Sequence, residues 1–194
     1  MLCNHSTQKK ETILGGSVEA LCAARNEIHQ PFAIVNGDDI YGVDSMKVIR
    51  KSLQDRPSLN VTVGYRLLEV LPLNGTVNRG IFETERNLVK TIREELGLSI
   101  QNYREKGIPA DALCSMNLFG LSPELLNELE KDLIEFKKTN KNNRKIELPL
   151  STELSKLAQE GTKIFVYEAE DKWVGLTNPE DEETVREYLR IKEI

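Results

Sequence analysis

A short β-prone run, Phe32-Ala33-Ile34-Val35-Asn36, stands between Pro31 and Gly37-Asp38-Asp39, and this junction constrains the fold more than any other part of the chain. The run is too brief for a helix and unbroken enough for a buried strand. Ahead of it, Gly15-Gly16 and Ser17 open the segment SVEALCAARNEI, which places Val18, Leu21, Cys22 and Ile28 on one side at helical spacing until Pro31 stops it. A helix followed directly by a buried strand is an α/β signal. In open α/β sheets, ligands gather beyond the carboxyl ends of the strands, so Asn36, Gly37, Asp38 and Asp39 stand where a site is expected on geometry alone. Glycine lets the backbone approach a ligand closely, and a carboxylate at a strand end suits Mg²⁺, which takes few protein oxygens and several from phosphate. The same four residues are also ordinary turn chemistry, so something further must decide between turn and site.

The remaining pattern alternates. Asp44 can cap a helix over SMKVIRKSLQ, and Leu59 to Leu67 reads as a strand in which Leu59, Val61 and Val63 alternate with polar partners. RGIFET and LVKTIRE form an antiparallel hairpin around Glu85-Arg86-Asn87, residues 97–110 carry no clear period and read as a loop, and ALCSMNLFGL is a further apolar strand. Pro123 opens a helix with Leu125, Leu126, Leu129, Leu133 and Phe136 as its apolar stripe, followed by the polar loop TNKNNRK. A helix over residues 149–159, a strand in TKIFVYEAE, a short strand or turn in KWVGL, and a last helix begun by Asn178 and Pro179 complete the chain. The expectation is an α/β fold, a Rossmann-like open mixed sheet flanked by helices, over residues 15–194, with residues 1–14 a poorly ordered or remnant segment.

Composition narrows the partners. A chain of 194 residues with 39% hydrophobic and 29% charged residues suits one soluble domain, and no apolar run approaches a membrane span. The net charge of -5 is spread along the sequence, which argues for a small ligand and against nucleic acid. Cys3, Cys22 and Cys114 have neither disulfide nor zinc spacing, and Met1 to Thr12 lead into no apolar signal region, so a cytoplasmic protein is expected. His5 and His29 read as surface residues, and no Ser-His-Asp or Cys-His arrangement is evident.

Seven pieces in order decide the matter: GGSVEAL, PFAIVNGDDIYG, VGYRL, NGTVNRGIFE, LVKTIREE, SMNLFGLSP and KWVGLTNPED. From about Gly15 to the C-terminus the chain resembles the sugar-phosphate nucleotidyltransferases, the nucleoside-diphosphate-sugar pyrophosphorylases. The resemblance implies transfer of a nucleotidyl group from a nucleoside triphosphate to a sugar 1-phosphate with Mg²⁺. It implies that Asp38 is the catalytic aspartate that binds the metal, with Asp39 and Tyr41 supporting it. It places Gly16 and Ser17, at the start of the first helix, with Gly37 and Asp39 near the nucleotide. Arg79, Gly80, Glu94 and Asn117 fall where the family binds the sugar and its phosphate. Such chemistry needs two anions positioned in line and neutralised, and no covalent nucleophile.

The chain departs from the family in three places. The glycine-rich loop with its arginine and Pro-Lys pair, which cradles the triphosphate, has no counterpart here, so the domain is expected to be N-terminally incomplete and inactive or weak alone. Gly175 stands where many members have a second metal-binding aspartate, with Asp171 or Asp181 as substitutes, and Glu95 replaces a common lysine. An incomplete sheet would expose an edge, which favours a homo-oligomer or a partner chain and, as the alternative function, a non-catalytic interaction module.

Overall fold

In the computed structural model, residues 16–141, 143, 146–175 and 181–191 are described. The expected segment 1–14, Gly15, part of the loop at 139–145 and the helix-opening pair Asn178-Pro179 lie outside them.

Among the described residues, eight strands form a six-stranded sheet and a two-stranded one. In the large sheet the order is β1 (Phe32–Ile34), β6 (Leu113–Leu121), β3 (Asn60–Arg66), β7 (Ile164–Glu168), β5 (Leu88–Leu98), β4 (Val77–Glu85), and β6 also pairs with β4. The β3–β7 pair is parallel and the others are antiparallel, so the sheet is mixed, as the alternating pattern implied. The small sheet joins β2 (Asp39–Ile40) to β8 (Val174–Gly175).

Helices cover both faces of the sheet. On one face, α1 (Gly16–Ala23), α4 (Leu125–Thr139) and α5 (Leu150–Gln159) enclose Val18, Phe82, Phe119, Leu121, Leu129 and Leu154. On the other, α2 (Val43–Asp55) and the single turn α3 (Leu67–Val70) cover Ile49, Val61, Val63, Tyr65, Ile81 and Leu118. Neighbours along a strand divide between the two cores: Leu118 and Phe119 on β6, and Ile81 and Phe82 on β4. The remaining helix, α6 (Asp181–Ile191), ends the chain's described part.

Several sequence expectations change in detail. The first helix stops at Ala23 and gives way to a 3₁₀ turn at Arg25–Glu27, short of the expected Ile28. The run at 32–36 yields a three-residue strand at the end of the sheet, paired only with β6 among the described residues, with Ala33 and Val35 exposed. It is an edge strand and not the buried one its apolar sequence suggested. Helix α2 starts at Val43, so Asp44 lies inside its first turn, 2.7 Å from Lys47 Nζ, and is not its cap. Strand β5 runs on to Leu98 into the supposed loop, because Gly97 adopts φ 64° and Leu98 returns to the core. The hairpin is as expected, with both loop residues, Arg86 (φ 49°) and Asn87 (φ 65°), left-handed as a tight two-residue turn requires.

Candidate functional site

The corner after β1 is built by mutual restraint. Asn36 Nδ2 donates to Asp39 Oδ2 at 2.9 Å, and the Asn36 backbone N–H donates to the Tyr41 hydroxyl oxygen at 2.9 Å. The Tyr41 hydroxyl lies 2.8 Å from the Met116 carbonyl and 3.1 Å from Asp39 Oδ2, so its one proton serves both acceptors. Burial pushes the Tyr41 phenol well above its ordinary pKa, which keeps it a neutral donor. Tyr65 Oη donates to the Tyr41 carbonyl at 2.6 Å from beneath. Tyr41 thus steadies Asp39 and fastens the corner to β6, whereas among the described residues neither of them hydrogen-bonds Asp38, the residue the resemblance implies they support.

At its other end this corner meets the chain's last strands. Asp39 pairs directly with Gly175. A side chain at position 175 would start 2.5 Å from the Trp173 ring and 3.2 Å from Asp39 Oδ1, so the glycine and the indole fit each other. An aspartate there would require Trp173 to move. Asp171, weighed above as a substitute carboxylate, is used otherwise: it is 9% exposed and its Oδ2 accepts the Ser45 N–H at 2.8 Å, capping α2 from outside the helix. Gly42, at φ 84°, permits this contact, because a Cβ there would lie 2.3 Å from Asp171. Asp181 begins α6, and its side chain lies outside the described residues.

A cavity of about 870 Å³ opens beside this corner. Asp38 and Asp39 line it from the β1–β2 junction, Arg79 and Gly80 from β4, Glu94 from β5 and Asn117 from β6. Residues more than 70 positions apart in the sequence therefore share one wall system, and six of the expected site residues are brought together. Gly16, Ser17 and Gly37 are not part of the lining. Gly16 packs on the Leu148 backbone, and Ser17 Oγ accepts the Leu150 N–H at 2.8 Å, which places both behind the first turn of α5. That turn reaches the cavity through Pro149, Ser151 and Thr152 and brings the positive end of a helix with it.

Three lining residues show the marks of a site. Asp38 is exposed and makes no hydrogen bond or ion pair among the described residues. Asn117 is the one exposed residue of β6 and holds φ 61° at a bulge, where β6 slips against β3 between Phe119 and Ser115. A non-glycine residue in the left-handed region inside a strand is strained unless a turn or cap rewards it, and such strain concentrates where a side chain must be aimed. Gly80 is the third: a Cβ on it would stand 2.8 Å from Ile92 Cγ2 and 3.6 Å from Glu94 Oε2, so only glycine keeps the floor open. Partial burial raises the Glu94 carboxyl above the usual range, opposed by the Arg79 guanidinium.

Arg79 is held by backbone carbonyls alone, Nη1 to Asn78 at 3.0 Å and Nη2 to Val70 at 3.3 Å, with its Cζ 5.4 Å from the centre of the Trp173 ring. Glu95 stands outside the lining and is paired with Arg93 and, at 3.8 Å, Lys106. Sequence reasoning had not assigned Trp173, Lys172, Glu69, Ser151 or Thr152 to the site. For Trp173 the signal was present in KWVGL beside the missing aspartate, whereas Ser151 and Thr152 carry no local sign of facing a ligand. Cys114, fully buried beneath this wall, has its thiol pushed up to about 12 by burial and is inert. No helix among the described residues is long and apolar enough to cross a membrane.

No family model and no curated protein matches the sequence. Solved structures do share its fold. Apo UDP-glucose pyrophosphorylase aligns with a TM-score of 0.61 and 17% identity over 93% of this chain and 62% of that one. UDP-glucose pyrophosphorylase complexed with UDP-glucose gives 0.58 and 19% over 91% and 63%. The inositol-1-phosphate CTP transferase from T. maritima gives 0.57 and 11% over 86% and 58%. These fold neighbours are sugar-phosphate nucleotidyltransferases, and the chain spans less than two thirds of their length. At such identities the likeness establishes the fold: an α/β domain of the nucleotidyltransferase type.

Proposed function

We propose that the cavity binds a sugar 1-phosphate and Mg²⁺ and positions the phosphate for nucleotidyl transfer, as the sugar-phosphate half of a nucleotidyltransferase site in the cytoplasm. The observation that carries this reading is the convergence, in one cavity beyond a strand end, of an unpartnered Asp38, a strained and exposed Asn117 and the obligatory Gly80. In the reaction, an oxygen of the sugar phosphate attacks the α-phosphorus of a nucleoside triphosphate in line and expels pyrophosphate.

The residues suit Mg²⁺. Among the described residues no three metal-ligating side chains gather, but Mg²⁺ needs only one or two carboxylates when phosphate supplies the rest. Asp38 and the Oδ1 of Asp39 would hold it, since Asp39 Oδ2 is already engaged by Asn36 and lies beside the Tyr41 hydroxyl. Bound there, the ion would neutralise phosphate charge. Glu94 accepts hydrogen bonds from sugar hydroxyls, the Asn117 amide fixes the ring from β6, and Gly80 lets the sugar lie against the strand. Gly37 and Asp39 face the nucleotide. For Gly16 and Ser17 a nucleotide role rests on the sequence resemblance, and Ser17 Oγ is already committed to Leu150. In this reading the triphosphate is cradled by groups outside the described residues.

A second reading, an interaction module, is favoured by the edge of β1, which has no strand partner on its outer side among the described residues and leaves Val35 45% exposed. One assay separates the two. Pyrophosphate release that depends on a sugar 1-phosphate and Mg²⁺ is expected, to fall at least about a hundredfold in Asp38→Asn, with Asn117→Gly raising KM while keeping the bulge. No release across the common nucleoside triphosphates and no heat of triphosphate binding, together with a dimer in size-exclusion chromatography, would establish the module instead.

A further inference from the structure

We infer that Arg79 and Trp173 form an oxoanion clamp, stacked on each other in this structure and parted by the phosphate group of a phosphate monoester. The inference rests on the reading of the cavity as a sugar-phosphate site and assigns its phosphate end.

Two buried donors without acceptors mark the place. Among the described residues Arg79 Nε and Trp173 Nε1 each lack a hydrogen-bond partner, their side chains line the same cavity, and one lies over the other. A donor buried without an acceptor is costly, and native proteins keep few of them. Neither N–H is reached by solvent while the guanidinium covers the ring. Parting the two would uncover both donors beside the cavity that their side chains line.

What holds Arg79 in place is weak compared with what a phosphate offers. Its Nη atoms donate only to neutral carbonyls, and no carboxylate lies within ion-pair distance of it among the described residues. Desolvation lowers its pKa, while Asp39 and Glu94 act on its charge from a distance and oppose the shift. Charge-assisted, two-pronged bonds to a phosphate are stronger than carbonyl bonds and a cation–π contact together, and the planar fork of arginine suits them better than lysine does. The charge distribution agrees. Asp38, Asp39, Glu69 and Glu94 line the cavity against Arg79 and the exposed Lys172 alone, so an entering dianion needs this arginine. The cations near Glu95 cannot serve, because Arg93 and Lys106 are paired with it outside the lining.

Trp173 is the chain's single tryptophan, so its emission reports the clamp without labelling. The full chain is titrated, without metal or nucleotide and at constant ionic strength, with sodium phosphate, glucose 1-phosphate, glucose and glucuronate. A saturable emission change with both phosphates and none with glucose is expected. Arg79→Met should weaken the phosphate titration about tenfold, with Arg79→Lys intermediate. Trp173→Phe, followed by calorimetry, keeps the ring, loses the N–H and should bind several-fold more weakly. Arg79→Met should fold, since it leaves no carboxylate unpaired, and a thermal melt checks this.

Equal phosphate midpoints in wild type and Arg79→Met would overturn the clamp, as would phosphate heat without a change in emission. Glucuronate binding as tightly as glucose 1-phosphate would also overturn the assignment to phosphate, in favour of a carboxylate. If no phosphate binds by either method, the clamp and the sugar-phosphate reading fall together. If pyrophosphate release is seen but Arg79→Met titrates normally, only the clamp falls; if the clamp titrates as expected and no transfer occurs, only the reaction does.

Discussion

Two glycine-bearing junctions in this chain look alike in sequence and differ in what their polar groups do. At the start of α1, Ser17 Oγ accepts the Leu150 N–H, the Val18 N–H donates to the Leu148 carbonyl, and Glu19 pairs with Lys137. There the Ser17 Oγ acceptor and the Glu19 carboxylate are engaged by the fold. At the β1–β2 junction the inner groups are just as well satisfied, but Asp38 has no partner among the described residues and faces a cavity that also holds Arg79, with an unmet Nε donor, and Asn117 at a positive φ. The difference lies in what the fold leaves undone at the candidate site, while the glycine at the helix start lets two segments touch.

Substitutions can break or sharpen this contrast. The largest effect belongs to Gly42→Ala, a residue of the site corner that serves the fold. Its φ of 84° and ψ of 160° suit glycine alone, and the added Cβ would meet Asp171 at 2.3 Å. A loss of about 3 kcal/mol, roughly 6–12 °C in Tm, is expected by calorimetry. Because the strain is shared with Asp171, the double substitution with Asp171→Ala should cost less than the sum of the two.

Next comes Ser17→Ala. Removing a side-chain acceptor at a helix start costs about 1 kcal/mol, and the phosphate titration of Trp173 emission should be unchanged. A shifted phosphate midpoint in this variant would show that the α1 start belongs to the site, and the contrast would fail.

The smallest effect, and one that depends on pH, is that of Glu94→Gln. Burial raises the Glu94 pKa in the folded chain above its ordinary 4.5, despite the opposing Arg79. The native state therefore holds this proton where the unfolded chain has released it. Stability from this group is full below the unfolded pKa and is lost as pH rises through the raised one. Glu94→Gln should melt slightly higher than wild type at pH 7, with the difference vanishing below about pH 4. A variant less stable at pH 7 would mean that Glu94 braces the fold, as Ser17 does.

These contrasts also explain what could be read from the sequence. Periodicity located the elements, and the hairpin was legible because Glu85-Arg86-Asn87 interrupts two strand-like runs. The position of β1 at the sheet's end was not, since an apolar run looks the same whether a strand is covered on one side or two. The order of the motifs singles out Asp38, Arg79, Gly80, Glu94 and Asn117 as candidates, and the fold gathers them around one cavity. Asp171 was not. A carboxylate that caps a helix begun 128 positions earlier leaves no local trace, and its sequence context is equally compatible with metal binding. The unmet donors of Arg79 and Trp173 are likewise a property of packing, invisible in either residue's neighbours.

The pairing of Asp39 with Gly175, reinforced by the bond from Ser45 of α2 to Asp171, also has a consequence in time. A chain emerging from the ribosome makes its strand-end corner early but cannot clasp it until the last strand has been synthesised. Loop closure across such a separation is slow compared with forming the local hairpin or the helices. The corner is thus among the last parts to be finished, and a nascent chain stopped short of Trp173 would present the carboxylates without the wall that closes the cavity beside them.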